Sequence, residues 1–194
     1  LLNKSHLNDI IRDTAIKIEE QTNIMAIFNG FHGMMPPQDK VAQVAAVPYD
    51  VVNSEEAAEL AKGNPLSFLR VSRPEIEMEP GIDLHSDPVY AKAVANFKRL
   101  IAEAPLTEDP VANLYVYSLK MNGRTQIGIA GAASVEDYNT NVIKKHEKTR
   151  KDKEDDRARH VMELRSHTGP VFLTYRDNKD VDAIVAEITA ETPY

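Results

Sequence analysis

The side chains with the most chemical capacity in this sequence lie in one run, His146-Glu147-Lys148-Thr149-Arg150-Lys151-Asp152-Lys153-Glu154-Asp155-Asp156-Arg157. Glu147 is a candidate general base, because a carboxylate whose surroundings tune its pKa can accept a substrate proton. His146 beside it can hydrogen-bond a substrate or titrate near neutrality. Arg150, Lys153 and Arg157 offer donors suited to phosphate oxygens. Glu154 and Asp156 offer the carboxylate oxygens that Mg²⁺ takes together with water. Against this stands the plainer reading of any charge run, a solvated helix face.

Other site chemistries find little support. His146 and His160 are too far apart for a helical pair of zinc ligands, and the chain has no cysteine. No G-x-x-x-x-G-K-S/T or G-x-G-x-x-G run occurs, so neither a P-loop nor a dinucleotide fingerprint is present. A Ser-His-Asp arrangement lacks a nucleophile context. No zinc, haem or flavin is expected.

Two properties set the run apart. From Lys144 to Arg165 nine Lys and Arg stand against six Asp and Glu, a local +3; a chain of net charge -7 then carries -10 elsewhere. A basic island on an acidic chain is a reasonable place to receive an anion such as phosphate. The run also lacks an apolar stripe. After Ile143 the next clear aliphatic residue is Val161, then Met162 and Leu164, with only Ala158 between as a small packing residue. A helix normally buries a stripe repeating every three to four residues. Ion pairs such as Asp155–Arg159 and Glu154–Arg157 would add only about 0.2–0.5 kcal/mol each. The expectation is a protruding solvated helix, or a polar surface lining a cleft.

Other elements must position this segment. Leu7, Ile10, Ile11, Thr14 and Ile18 form one helical stripe behind the candidate cap Ser5. Residues 1–24 read as a leader or upstream extension, with Met25 the first plausible start. Val41–Val47 reads as a short strand closed by Pro48, and Leu66–Ser72 as another. Between them Ser54 caps a predicted helix through Lys62, which Gly63 and Pro65 end. Asp87-Pro88 opens a helix to about Glu103, with Val89, Ala93, Phe97, Leu100 and Ile101 inward. Leu114–Lys120 and Thr125–Ala133 flank Asn122-Gly123, the pair that most strongly predicts a tight hairpin. Val171–Tyr175 reads as a last strand and Lys179 to about Glu191 as a last helix. The fold class expected is mixed α/β or α+β, a small mixed sheet with a β-hairpin and flanking helices.

At 194 residues the chain admits one ordinary domain, or one and a part. With 42% hydrophobic and 27% charged residues it is apolar enough to fold around a core. No apolar stretch approaches the roughly 20 residues of a membrane helix, and no secretory signal is visible. The expected setting is cytoplasmic. The acidic balance argues against nucleic-acid binding by the surface as a whole.

Several runs in fixed order carry a resemblance: Val44-Ala45-Ala46-Val47-Pro48-Tyr49-Asp50-Val51-Val52, Gly63-Asn64-Pro65-Leu66-Ser67-Phe68-Leu69, Arg73-Pro74-Glu75-Ile76, Leu114-Tyr115-Val116-Tyr117, the His146–Arg157 segment and Thr168-Gly169-Pro170-Val171-Phe172-Leu173. From Met25 to the end the chain resembles the bacterial family catalogued as domain-of-unknown-function family 1015. Members of that family are usually about twice this length, which implies that residues 25–194 are the N-terminal part of the family domain. Their second half carries an Asp-Gly-His-His-Arg motif similar to that of ParB/sulfiredoxin-like proteins, including an archaeal free-serine kinase. That motif is absent here, so an incomplete ParB/sulfiredoxin-like domain is expected, partnered by the missing C-terminal half of the same protein.

The kinase relative also has a His-Glu pair upstream, and His146-Glu147 resembles it. The resemblance implies Glu147 as base toward a substrate hydroxyl, such as that of free serine, with ATP or ADP and Mg²⁺ as cofactors and the missing half supplying phosphate contacts. Two other functions stand beside this one: a ParB-like nucleotide-binding regulator associated with DNA, and a non-enzymatic interaction domain.

Overall fold

A computed structural model of the chain describes residues 25–145, 149–191 and 193. Its first elements are β1 (Phe28–Asn29), β2 (Met34–Met35), α1 (Val41–Val44), a 3₁₀ turn at Tyr49–Val51, α2 (Ser54–Leu60), α3 (Leu69–Ser72), and a second 3₁₀ turn at Pro74–Glu77. Then come α4 (Asp87–Glu103), β3 (Thr107–Glu108), β4 (Tyr115–Met121), β5 (Arg124–Ala130), β6 (Ala132–Ala133), α5 (Val135–Asn139), α6 (Lys151–Leu164) and α7 (Lys179–Thr189). The fold is mixed α/β, as the sequence implies. In place of one mixed sheet, however, the strands form two-stranded pairs: β1 with β6, β2 with β3, and β4 with β5. Among the described residues no helix is long and apolar enough to cross a membrane. The described residues divide into two compact units, one built from 25–33, 108–145 and 172–191, the other from Met34–Thr107 and Thr149–Val171.

The first unit carries the hairpin. Met121 pairs with Arg124 in antiparallel register, so the loop is the two residues Asn122 (φ 52°) and Gly123 (φ 77°). That is the type I′ geometry, whose twist matches the strands. β1 runs antiparallel to β6, and Phe31 and Asn113 exchange both backbone hydrogen bonds at 2.9 Å. Gly30 has to be glycine here, since a Cβ would come within 2.9 Å of the Asn113 carbonyl carbon. Tyr115 fastens the same corner: its hydroxyl accepts the Gly33 N–H at 2.9 Å and donates to Asp109 at 2.7 Å. The segment from Val171 to Tyr175 is not a strand, contrary to its composition. Val171 and Phe172 are 83% and 75% exposed, and β-rich residues without a ladder partner gain nothing from extended pairing.

The second unit holds the main core. Val44, Leu66, Val71, Ala93, Phe97, Leu100, Ala104 and Leu164 bury together, and Ala57, Ala61 and Leu69 form a smaller cluster. The inward stripe expected on α4 is observed, with Tyr90 and Asn96 added to it. Leu66–Ser72 is a turn and the short helix α3, not a strand. The helix α2 stops at Leu60 with Ala61 as its C-cap, Gly63 takes a φ of 70° in the turn that follows, and Asn64 Oδ1 accepts the Leu66 N–H at 3.1 Å, turning the chain again. Helical winding then sends Leu66 and Val71 to one cluster and Leu69 to the other. Val41–Val44 is likewise helical. Pro48 restricts only its own neighbourhood, and extended backbone begins at Ala45. α2 is capped by Asn53, one residue before the expected Ser54, through a capping box with Glu56.

A half-buried charge cluster braces this unit. Glu77 receives Arg70 at 2.5 Å, Lys92 at 2.9 Å and Arg99 at 3.3 Å, tying its 3₁₀ turn to α3 and α4. Burial alone would push the Glu77 carboxyl up. The cations, Lys92 and Arg70 foremost, outweigh it and hold the group at about 2.

Candidate functional site

Helix α6 is the charged segment, and it does bury a stripe. The stripe is polar. Asp156 is 11% exposed, His160 3% and Leu164 6%, at successive spacings of four, on the side where α6 packs against α4. Ala158, the apolar candidate, is exposed. Order in this helix therefore comes from hydrogen bonds that satisfy buried polar groups, with Leu164 at its end joining the main core.

His160 sits at the floor. Its Nε2 lies 3.3 Å from the Val71 carbonyl oxygen, which can only accept, so Nε2 carries the proton. Nδ1 is then free to accept from the Thr168 hydroxyl at 3.4 Å. Burial pushes the His160 pKa down, and the ring stays neutral.

Asp156 organises the wall. Its Oδ1 accepts the Tyr90 hydroxyl at 2.6 Å and faces Nδ1 of His85 at 3.3 Å. Its Oδ2 accepts Arg157 Nη2 at 2.6 Å and Nε at 2.9 Å. Burial works against the ionised carboxylate, but the donors from Tyr90 and Arg157 prevail and lower its pKa. Tyr90 moves the other way, up to about 12, through burial and then through Asp156. Arg157 lies over the Tyr49 ring at 4.1 Å and Arg159 over the Tyr90 ring at 4.0 Å, stacking that fixes each guanidinium plane.

These groups surround a recess of about 80 Å³ lined by Tyr49, Arg73, Glu75, His85, Tyr90, Lys153, Asp156, Arg157 and His160, among others. Arg73 pairs with Glu75 at 3.3 Å and donates to the Val52 carbonyl oxygen. Among the described residues its Nε is buried without a hydrogen-bond partner, an arrangement that costs about 1–3 kcal/mol.

Of the residues singled out in the sequence, the structure brings Lys153, Asp156 and Arg157 to this recess. Arg150 turns instead to its neighbour Asp152 at 2.6 Å in an exposed pair. Glu154 is exposed and, two residues from Asp156 on a helix, does not share its face. Among the described residues no group of three or more His, Asp or Glu is placed to hold a metal ion. His146 and Glu147 lie outside the described residues. Asp155 pairs with Lys151, and Arg159 with Asp87 at 2.5 Å, so neither forms the pair expected between them. Tyr49, Arg73, His85, Tyr90 and His160 were missed as site residues. His160 left a signal in its spacing of four from both Asp156 and Leu164, and Tyr49 and Arg73 in the runs that carry the family resemblance.

The family model described as Protein of unknown function (DUF1015) matches residues 28–194. The chain belongs to this family. Neither a curated protein nor a solved structure matches it. In this DUF1015 chain the matched span contains the whole recess, from Tyr49 to His160.

Proposed function

We propose that this DUF1015 chain takes part in phosphoryl transfer from ATP or ADP to a small hydroxyl compound such as free serine, with the α6 recess receiving an anionic end group. One observation carries this reading. Arg73, Lys153 and Arg157 line a single recess whose carboxylates are already engaged, Asp156 by Tyr90 and Arg157 and Glu75 by Ser54 and Arg73. Lys153 makes no ion pair among the described residues, and Arg157 Nη1 no hydrogen bond. Both remain available to phosphate oxygens. At about 80 Å³ the recess is far smaller than the roughly 300–1,000 Å³ that encloses a drug-sized ligand. It suits an end group and not a whole nucleotide.

In this reading Glu147 takes the hydroxyl proton as the oxygen attacks phosphorus, and the nucleotide leaves with the electron pair. Mg²⁺ arrives on the nucleotide phosphates, as it commonly does. The test is ³¹P NMR of the full-length protein, with the C-terminal half that the family resemblance implies, in the presence of serine, Mg²⁺ and ATP or ADP. Phosphoserine should form, slowed on the order of 100-fold by Glu147→Ala and clearly weakened by Arg157→Ala. No phosphoserine with either nucleotide, or an undiminished rate in Glu147→Ala, sinks the proposal.

A further inference from the structure

The first unit has strands but almost no core. Of the buried hydrophobic side chains among the described residues, Leu114 alone belongs to it, and both core clusters lie in the second unit. Its hairpin has no third strand among the described residues. A two-stranded ribbon of this kind is marginal in water unless a helix or a further strand covers an apolar face. Tyr117, Leu119 and Met121 alternate along β4 and so share one face. They are 50%, 47% and 75% exposed, although α7 reaches β4. Across the ladder Tyr117 faces Gly128. Gly128 has no positive φ, so its backbone does not demand glycine, and a Cβ added there would meet nothing within 4 Å. The missing side chain leaves an open slot beside Tyr117 into which an apolar group from another element can pack.

The chain enters this unit beside the base of the hairpin. Ile27 is held at the start of α5, its N–H donating to Asp137 Oδ2 at 2.6 Å and its carbonyl accepting the Ser134 N–H at 3.0 Å. A Cβ at Gly131, just past β5, would strike the Phe28 ring. Residues 1–24 lie outside the described residues. Their sequence repeats Leu7, Ile10, Ile11, Thr14 and Ile18 at helical spacing, with Asp9, Arg12 and Asp13 off that stripe. We propose that residues 7–18 form an amphipathic helix that docks on the Tyr117, Leu119 and Gly128 face of the hairpin, supplying the apolar cover this unit lacks. The lengths agree. At 1.5 Å per residue the stripe is about 17 Å long, against roughly 20 Å for β4. Residues 19–24 span up to about 20 Å, enough to return the stripe over Tyr117 and Leu119, which stand two and four positions from the strand's start at Tyr115. Tethering favours this occupant over a separate molecule, because a short linker holds the segment at an effective concentration on the order of millimolar.

The chain has no cysteine, so Asn8→Cys places a single nitroxide on the segment of the full chain. A tethered segment at that effective concentration is docked most of the time, and the amide NMR signals of residues 117–119 and 126–128 should weaken about two-fold or more relative to the reduced label. Ile10→Asp with Ile11→Asp should restore them. Gly128→Val, which suits a strand but fills the slot, should do the same with the hairpin retained. Full hairpin intensity beside the nitroxide, or weakening that survives both sets of substitutions, overturns the proposal. Weakening that passes from spin-labelled to isotope-enriched copies in a mixed sample assigns the face to a second copy of the chain and overturns it as well.

Discussion

His160 and Glu77 show how one titratable group makes stability depend on pH. The His160 pKa is lowered by burial, with Val71 partly opposing. The unfolded chain protonates this ring near the ordinary value of about 6.5, while the folded chain resists. Its contribution is therefore full above about pH 6.5 and is lost as pH falls through that value toward the folded pKa. Urea unfolding at pH 7 and pH 5 should show a smaller drop for His160→Leu than for the wild type, and equal drops would refute the assignment. Glu77 works in the acid range. Its stabilisation is present above its ordinary value of 4.5 and is lost as pH falls through about 2. Glu77→Gln should cost about 2 kcal/mol at pH 7, since Arg70 loses its charged partner while Lys92 and Arg99 reach solvent. The cost should nearly vanish at pH 2, and a mutant as stable as wild type at pH 7 would exclude the bracing role.

At the scale of elements, local chemistry decided what local chemistry can decide. Asn122-Gly123 specified the hairpin because its backbone needs two positive φ angles and little else. The α4 stripe was readable because one apolar face at helical spacing has one solution. The strands read at Val41–Val47 and Leu66–Ser72 failed for a common reason: short apolar runs suit a buried helix turn as well as a strand. The turns at Asn64 and Gly63 then settled the matter. The cap at Asn53 gives a direct test. Asn53→Ala removes the acceptor for the Glu56 N–H and should lower stability by about 1 kcal/mol, read as a shift in the urea midpoint. An unchanged midpoint would mean that the capping box contributes nothing to the native state.

Over the whole molecule, apolar side chains remain uncovered in number. Val171, Phe172 and Tyr175 stand largely exposed along one unpaired segment, and Met121 at the hairpin tip is 75% exposed. Exposed apolar side chains clustered along a segment bind hydrophobic dyes in the native state. Anilinonaphthalene sulfonate should fluoresce with the folded chain, and Phe172→Ser combined with Val171→Ser should reduce the signal by about half or more. A dark native protein would show that this segment is covered in solution.

What the sequence determined by itself was a mixed α/β chain with an Asn-Gly hairpin, a long amphipathic α4, and a charged helix whose Lys153, Asp156 and Arg157 were worth attention. Each follows from interactions within a few residues, where spacing maps onto geometry. The recess was decided only by tertiary structure, because Tyr49, Arg73, His85 and Tyr90 come from segments far from α6 in the chain. No periodicity links them. Their meeting follows from the packing of α4 against α6, which turned a charge run with no apolar stripe into a wall of satisfied polar groups.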